Sequence, residues 1–217
     1  EPSALVLFIP LLQDGVELPV EVGCSVHELL SGQLGLDPGY VDGRIQTAFL
    51  DGKPVDRLDR ATVRNGSVLA LSAALPGLLG ATLRKGGAYA SLRGGITHTE
   101  PPAACNQGRG RITIRVFNVL LKELAAPLLQ KGVVVSWDRL ETRIRKGGSR
   151  LIDAIHAADL DGKTLPPEDL PRVSWSPETR VLFSLRTRDD ARQPAVSSSL
   201  HKSVGGEKRR GSSDTGA

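Results

Sequence analysis

Apolar residues in this chain gather into short runs separated by glycine-bearing turns, and the runs set out a series of strands with a helix between them. Leu5-Val6-Leu7-Phe8-Ile9 is apolar at every position, the pattern of a central strand covered on both faces. Asp14-Gly15 turns the chain into a second strand, Val16 to Val22, which Pro19 assigns to a sheet edge. Ser25 and Glu28 form an S-x-x-E helix start, Val26, Leu29, Leu30 and Leu34 follow at helical spacing, and Gly35 is the stop. Ile45 to Leu50 and Val68 to Leu71 complete the set as strands, with Asp51-Gly52 and Asn65-Gly66 as hairpin signals.

The pattern returns about 110 residues later. Leu50-Asp51-Gly52-Lys53 recurs as Leu160-Asp161-Gly162-Lys163, Val68 to Ser72 as Val181 to Leu185, and Ser25 to Leu29 as Ser136 to Leu140. The opening run Leu5 to Ile9 is answered by Ile112 to Val116, so the chain reads as a tandem duplication. In the second copy, Asn118 is expected to cap a short helix through Ala126 that Pro127 interrupts. Val133 to Ser136 is a strand, Trp137, Leu140 and Ile144 mark a helix face, and Leu151 to Leu160, Leu165 and Val181 to Leu185 close the copy. Between the copies, residues 76–110 are rich in glycine and proline and read as a linker without regular elements, except that Leu75, Leu78, Leu79 and Leu83 are expected to fold back over an exposed sheet face. From Thr187 onward the composition is that of a disordered tail.

Composition changes the picture in two places. The net charge of +4 hides an acidic first module, since residues 1–75 carry 5 Lys/Arg against 10 Asp/Glu while residues 76–111 carry 5 against 1. The basic charge therefore lies in connecting and terminal segments, and the high pI does not indicate a nucleic-acid platform. With 4% aromatics, the cores must be aliphatic. No apolar run reaches the roughly 18 residues that span a bilayer. Two cysteines, Cys24 and Cys105, in different segments favour a reducing, cytoplasmic setting over a disulfide scaffold. The chain opens on Glu1 and holds no methionine, so a leading segment is expected upstream.

The residues offer little catalytic chemistry. His27, His98, His156 and His201 are scattered beyond any metal-ligand spacing. Cys24 stands at a helix start, where amides can lower a thiol pKa, but a buried, inert cysteine is the favoured reading. No phosphate-binding glycine loop and no nucleophile elbow occurs. Asp51, Asp56 and Asp59 read as turn residues on a solvated edge, and Lys208-Arg209-Arg210 as a solvated basic cluster. Neither enzyme activity nor a cofactor is expected.

Val20-Glu21-Val22, the helix start Ser25 to Leu30, Ala48 to Val55 and Asn65 to Leu71 together resemble the MoaD/ThiS sulfur-carrier family. The resemblance implies an α+β fold: two tandem ubiquitin-like β-grasp modules, residues 3–75 and 111–186, each a mixed sheet packed on one helix, with the linker 76–110 between them and the tail 187–217 after. In that family a C-terminal Gly-Gly is adenylated by an activating enzyme and converted to a thiocarboxylate. Here Ala74-Leu75-Pro76-Gly77 stands where the terminal pair belongs and the chain continues. The candidate carrier diglycines are Gly86-Gly87 and Gly94-Gly95, each terminal only after cleavage.

Two functions follow. One is a sulfur carrier or protein modifier, proteolytically matured, whose acidic module docks on a basic activating enzyme. The other is a non-catalytic β-grasp adaptor that acts by protein-protein binding. An RNA-binding module is a third reading, disfavoured by the acidic first module and the scarcity of stacking aromatics.

Overall fold

In a computed structural model of the chain, the described residues are 5–98, 108–160, 163–172 and 175–185. The expected disordered tail, with His201 and Lys208-Arg209-Arg210, and Cys105 lie outside them.

The first element is a helix, α1 (Leu5–Asp14), where the apolar run predicts a strand. An unbroken apolar run carries no alternation, so it suits a buried helix as well as a buried strand. Phe8, Leu11 and Leu12 are fully buried at i, i+3, i+4 spacing while Val6 stays half exposed. The Phe8 ring lies 5.5 Å from that of Phe183, far along the chain. Gly15, at φ +106°, ends the helix, and Arg139 donates to the carbonyls of Gly15 and Leu11 at 2.6 and 3.1 Å, satisfying two helix-end acceptors from another element.

β1 (Val16–Glu21) is flanked on both sides, by β5 (Arg109–Val116) along its whole length and by β6 (Val133–Ser136) at Glu17 and Val134. Pro19 thus stands in a strand with two neighbours, where an edge is expected. It is tolerated because β6 pairs only at Glu17, and beyond it the Gln33 side chain bonds both the N–H and the carbonyl of Glu21, at 2.8 and 2.9 Å. The helix start is as the sequence reads: the Ser25 hydroxyl accepts from the Glu28 N–H at 3.1 Å, α2 (Val26–Glu28) runs into a π-helical turn, Leu29–Gln33, and Gly35 at φ +72° follows. A further helix, α3 (Pro38–Arg44), is capped by the Asp37 carboxylate on the Tyr40 N–H.

β2 (Thr47–Leu50) and β3 (Lys53–Pro54) form the hairpin at Asp51-Gly52, both at positive φ, the backbone that a two-residue turn requires. Asp51 also accepts from the N–H of Val68 and the hydroxyl of Ser67, fixing the start of β4 (Val68–Ser72). Asn65-Gly66, by contrast, closes no hairpin. Asn65 Oδ1 accepts from the Arg111 N–H at 2.9 Å, and the Gly66 N–H donates to the Arg111 carbonyl at 2.7 Å, so this turn receives β5. Gly110 permits the approach, since a Cβ there would stand 2.8 Å from the Val22 side chain and 2.9 Å from Asn65 Oδ1.

Residues 77–83 form α4 (Gly77–Leu83) and residues 90–93 a 3₁₀ turn, so the glycine-rich stretch does build regular elements. After β5, Asn118 uses its side chain to bond the Ala73 N–H and the Ser72 hydroxyl instead of capping a helix. α5 (Leu120–Lys131) then passes straight through Pro127. An internal proline costs about 3 kcal/mol, but ending the helix there would forfeit Leu128 and Leu129, both fully buried and each contributing about 1.5–3 kcal/mol. The rest is α6 (Trp137–Gly147), with Trp137, Leu140 and Ile144 buried as read, α7 (Ser149–Ala154), the hairpin strands β7 (Ile155–Leu160) and β8 (Lys163–Leu165), a 3₁₀ turn over 167–172, and β9 (Arg180–Leu185).

The fold is α+β. All nine strands of the described residues lie in one mixed sheet, ordered β3-β2-β4-β5-β1-β6-β9-β7-β8. β4 and β5 are parallel, and every other pairing is antiparallel. In β5, Ile112, Ile114 and Val116 are buried while Arg109, Arg111 and Arg115 are exposed, so one face meets the helices and the other meets water. The buried apolar residues form one continuous cluster from Phe8 to Leu185. The sequence repeats keep their element types at the helix starts, the hairpins and the strands β4 and β9; the pair Leu5 to Ile9 and Ile112 to Val116 does not, being a helix and a strand. The strand expected to open the second copy thus lies between β4 and β1, among the strands of the first.

Candidate functional site

The stretch with the candidate diglycines is held by one buried arginine. Arg93 is 6% exposed, and its guanidinium bonds Asp56 through two nitrogens, the carbonyls of Thr82 and Arg84, and the Thr97 hydroxyl. A buried guanidinium requires such a complete set of acceptors. The Gly86 N–H donates to the same Asp56 carboxylate at 3.0 Å, so the Gly86 backbone and the Arg93 side chain meet on one acid. Gly86, Gly94 and Gly95 remain exposed. Asp56, read from sequence as a turn residue, is the anchor of this turn; its partner is 37 residues away, and nothing local signals it. Asp59 does stay a surface residue, paired with Arg57, whose hydrogen bond holds its carboxyl below the usual carboxylate range.

Lys85 ties the same stretch to α3 and to Gln46, just before β2. Its N–H donates to the Gln46 carbonyl at 2.7 Å and its amine to the carbonyls of Val41 and Asp42; burial pushes that amine's pKa down. Lys85, His27, Asp42, Asp56, Arg57, Leu58 and Asp59 line an open cavity of 340 Å³ in which His27 stands 3.7 Å from Asp42. Its cations are already committed to backbone carbonyls or carboxylates, and it contains no nucleophile with an activating base. Among the described residues no group of three His, Cys, Asp or Glu could hold a metal. The Cys24 thiol is buried, donating to the Glu21 carbonyl and accepting from Gln33.

A second cavity, 360 Å³, opens beside the ends of β4 and β5. Phe49, Ala70, Leu71, Leu75 and Phe117 line it with Ser72 and Asn118, and it contains no charged group. Leu75 therefore folds onto the sheet as expected, whereas Leu78 and Leu79 are each 72% exposed. Helix α4 turns them outward because its close packing is taken by Gly80, where a Cβ would meet the Leu75 carbonyl at 2.0 Å. No helix of the described residues is long and apolar enough to cross a membrane.

No family model, no curated protein and no solved structure matches the chain.

Proposed function

We propose that this chain is a ubiquitin-like β-grasp protein that acts as an adaptor, by binding a protein partner. The strand order supports the reading. With β5 taken as first strand and β1 as second, β3-β2-β4-β5-β1 follows the β-grasp order, first and last strands parallel at the centre. The flank β6-β9-β7-β8 is the same order with the first strand missing, as if one duplicated module had given its opening strand to the other.

That transfer carries the functional choice. Every candidate diglycine precedes β5, and β5 pairs with β4 on one side and β1 on the other. A carrier ending at Gly87 or Gly95 would be cut from the central strand of its own sheet, so the fragment bearing the carboxylate would not be a self-contained module. An adaptor needs no cut. The sulfur-carrier reading, with an adenylating activating enzyme as partner, keeps one supporting feature: Gly94 and Gly95 lie at the surface, within reach of a protease.

The test is replacement of both pairs with the fold preserved. Gly86 has φ +59°, so asparagine is the suitable substitute there and alanine at Gly87, Gly94 and Gly95. An adaptor keeps its full-length mass and its partner in this variant. A shortened native species ending in Gly-Gly, with one oxygen replaced by sulfur and absent from the variant, would establish the carrier instead.

A further inference from the structure

The uncharged groove at the end of β4 continues into a row of arginines. Ala70, in its floor, is the register partner of Arg115 on β5, and Arg111 and Arg109 follow on the same exposed side of that strand. Residues four apart on a strand are about 13 Å apart, so the row and groove span the length of an extended peptide of six or seven residues. Among the described residues none of these three guanidinium groups has a hydrogen-bond or ion-pair partner. The nearest acids are not paired with the row: Glu17, opposite Thr113 between Arg111 and Arg115, is engaged by Arg180 at 2.5 Å, and Glu21 stands opposite Arg109.

We infer that this groove and the Arg111 and Arg115 side chains form one docking surface for an extended acidic segment of a partner protein, its large apolar residue seated between Phe49, Leu75 and Phe117. The inference rests on the adaptor reading above and names its partner chemistry. Charge complementarity selects the occupant: an apolar anchor is desolvated in a slot without charged groups, while carboxylates meet free arginines on its rim. The alternative polyanion, a single-stranded nucleic acid, is disfavoured because the groove that continues the row carries no charged group to meet a phosphate backbone.

The experiment is selection from a random dodecapeptide display library on the full chain, followed by anisotropy titration of the selected peptides and of a labelled oligo-dT. The inference expects peptides in which Asp or Glu surrounds a Leu or aromatic residue. Their affinity should fall at least about tenfold in R111E/R115E and again in F117S, variants at exposed positions whose folding is checked by thermal unfolding. R111E/R115E should in turn bind a peptide with Lys in place of the acids. Selected peptides without acidic enrichment, or unaffected by these changes, would overturn the surface while leaving the adaptor reading intact. Failure to select any peptide would count against both, and arginine-dependent oligo-dT binding in place of peptide binding would overturn the inference in favour of nucleic acid.

Discussion

Arg93 sits on Asp56 with its Nη2 2.6 Å from Oδ1 and its Nη1 3.1 Å from Oδ2, and only 4% of the arginine side chain meets solvent. Removing the arginine leaves Asp56 partly solvated, with the Gly86 N–H still on it, so the cost falls below the about 3–5 kcal/mol of a fully buried pair. R93A should therefore loosen residues 82–97 together. Tryptic cleavage at Arg84 and Lys85 should speed up well over tenfold, and thermal stability should fall; cleavage rates equal to those of the unmodified chain would show that the glycine stretch is not clamped.

Tyr40 and Arg44 of α3 meet Glu123 of α5 across 83 and 79 residues, at 2.7 Å from the phenol and 2.5 Å from the guanidinium. The Arg44 hydrogen bond, then that of Tyr40, holds the Glu123 carboxyl below the usual carboxylate range. A depressed folded pKa adds stability that is fully present above the unfolded value, about 4.3, and lost as pH falls through the folded value. The difference in Tm between the unmodified chain and E123Q should be constant from pH 7 to about 5 and shrink toward zero below pH 4. A difference that grows on acidification would contradict the contact.

Gly110 lies where β5 passes under the Asn65 turn. G110V would force a branched side chain against Val22 and Asn65, 2.8 and 2.9 Å from the Cβ position. A loss of about 1–3 kcal/mol is expected by urea denaturation. An unchanged midpoint would mean that β5 does not enter this turn.

A protease site inserted between Gly95 and Ile96 allows the chain to be cut before β5. Because β5 is paired on both edges, the two pieces should remain together on size exclusion under native conditions and separate only in denaturant. Separation without denaturant would restore the picture of an independent first module.

What the sequence made legible is local. The Ser25 cap, the Asp51-Gly52 turn, the strand Val68 to Leu71 and the buried face of α6 each depend on residues within a few positions of one another. The opening helix was not legible, because Leu5 to Ile9 is apolar at every position and its form is decided by packing on distant elements, α5, β5 and α6. Pro127 read as a break because the burial that outweighs it comes from other elements. The Arg93 anchor and the groove were hidden for the same reason: Asp56 and Arg93, or Phe49 and Phe117, are brought together only by the placing of β5 and of the glycine stretch against the sheet.

Arg109–Val116, and not Leu5 to Ile9, lies between β4 and β1. Backbone nuclear Overhauser contacts in the isotopically labelled full chain test it directly. Cross-strand contacts of Leu69 with Ile114 and of Leu18 with Ile112 are expected, together with sequential amide contacts typical of a helix over residues 5–9 and 11–14, on either side of Pro10. Contacts of Leu69 with Leu7, and none with Ile114, would contradict it.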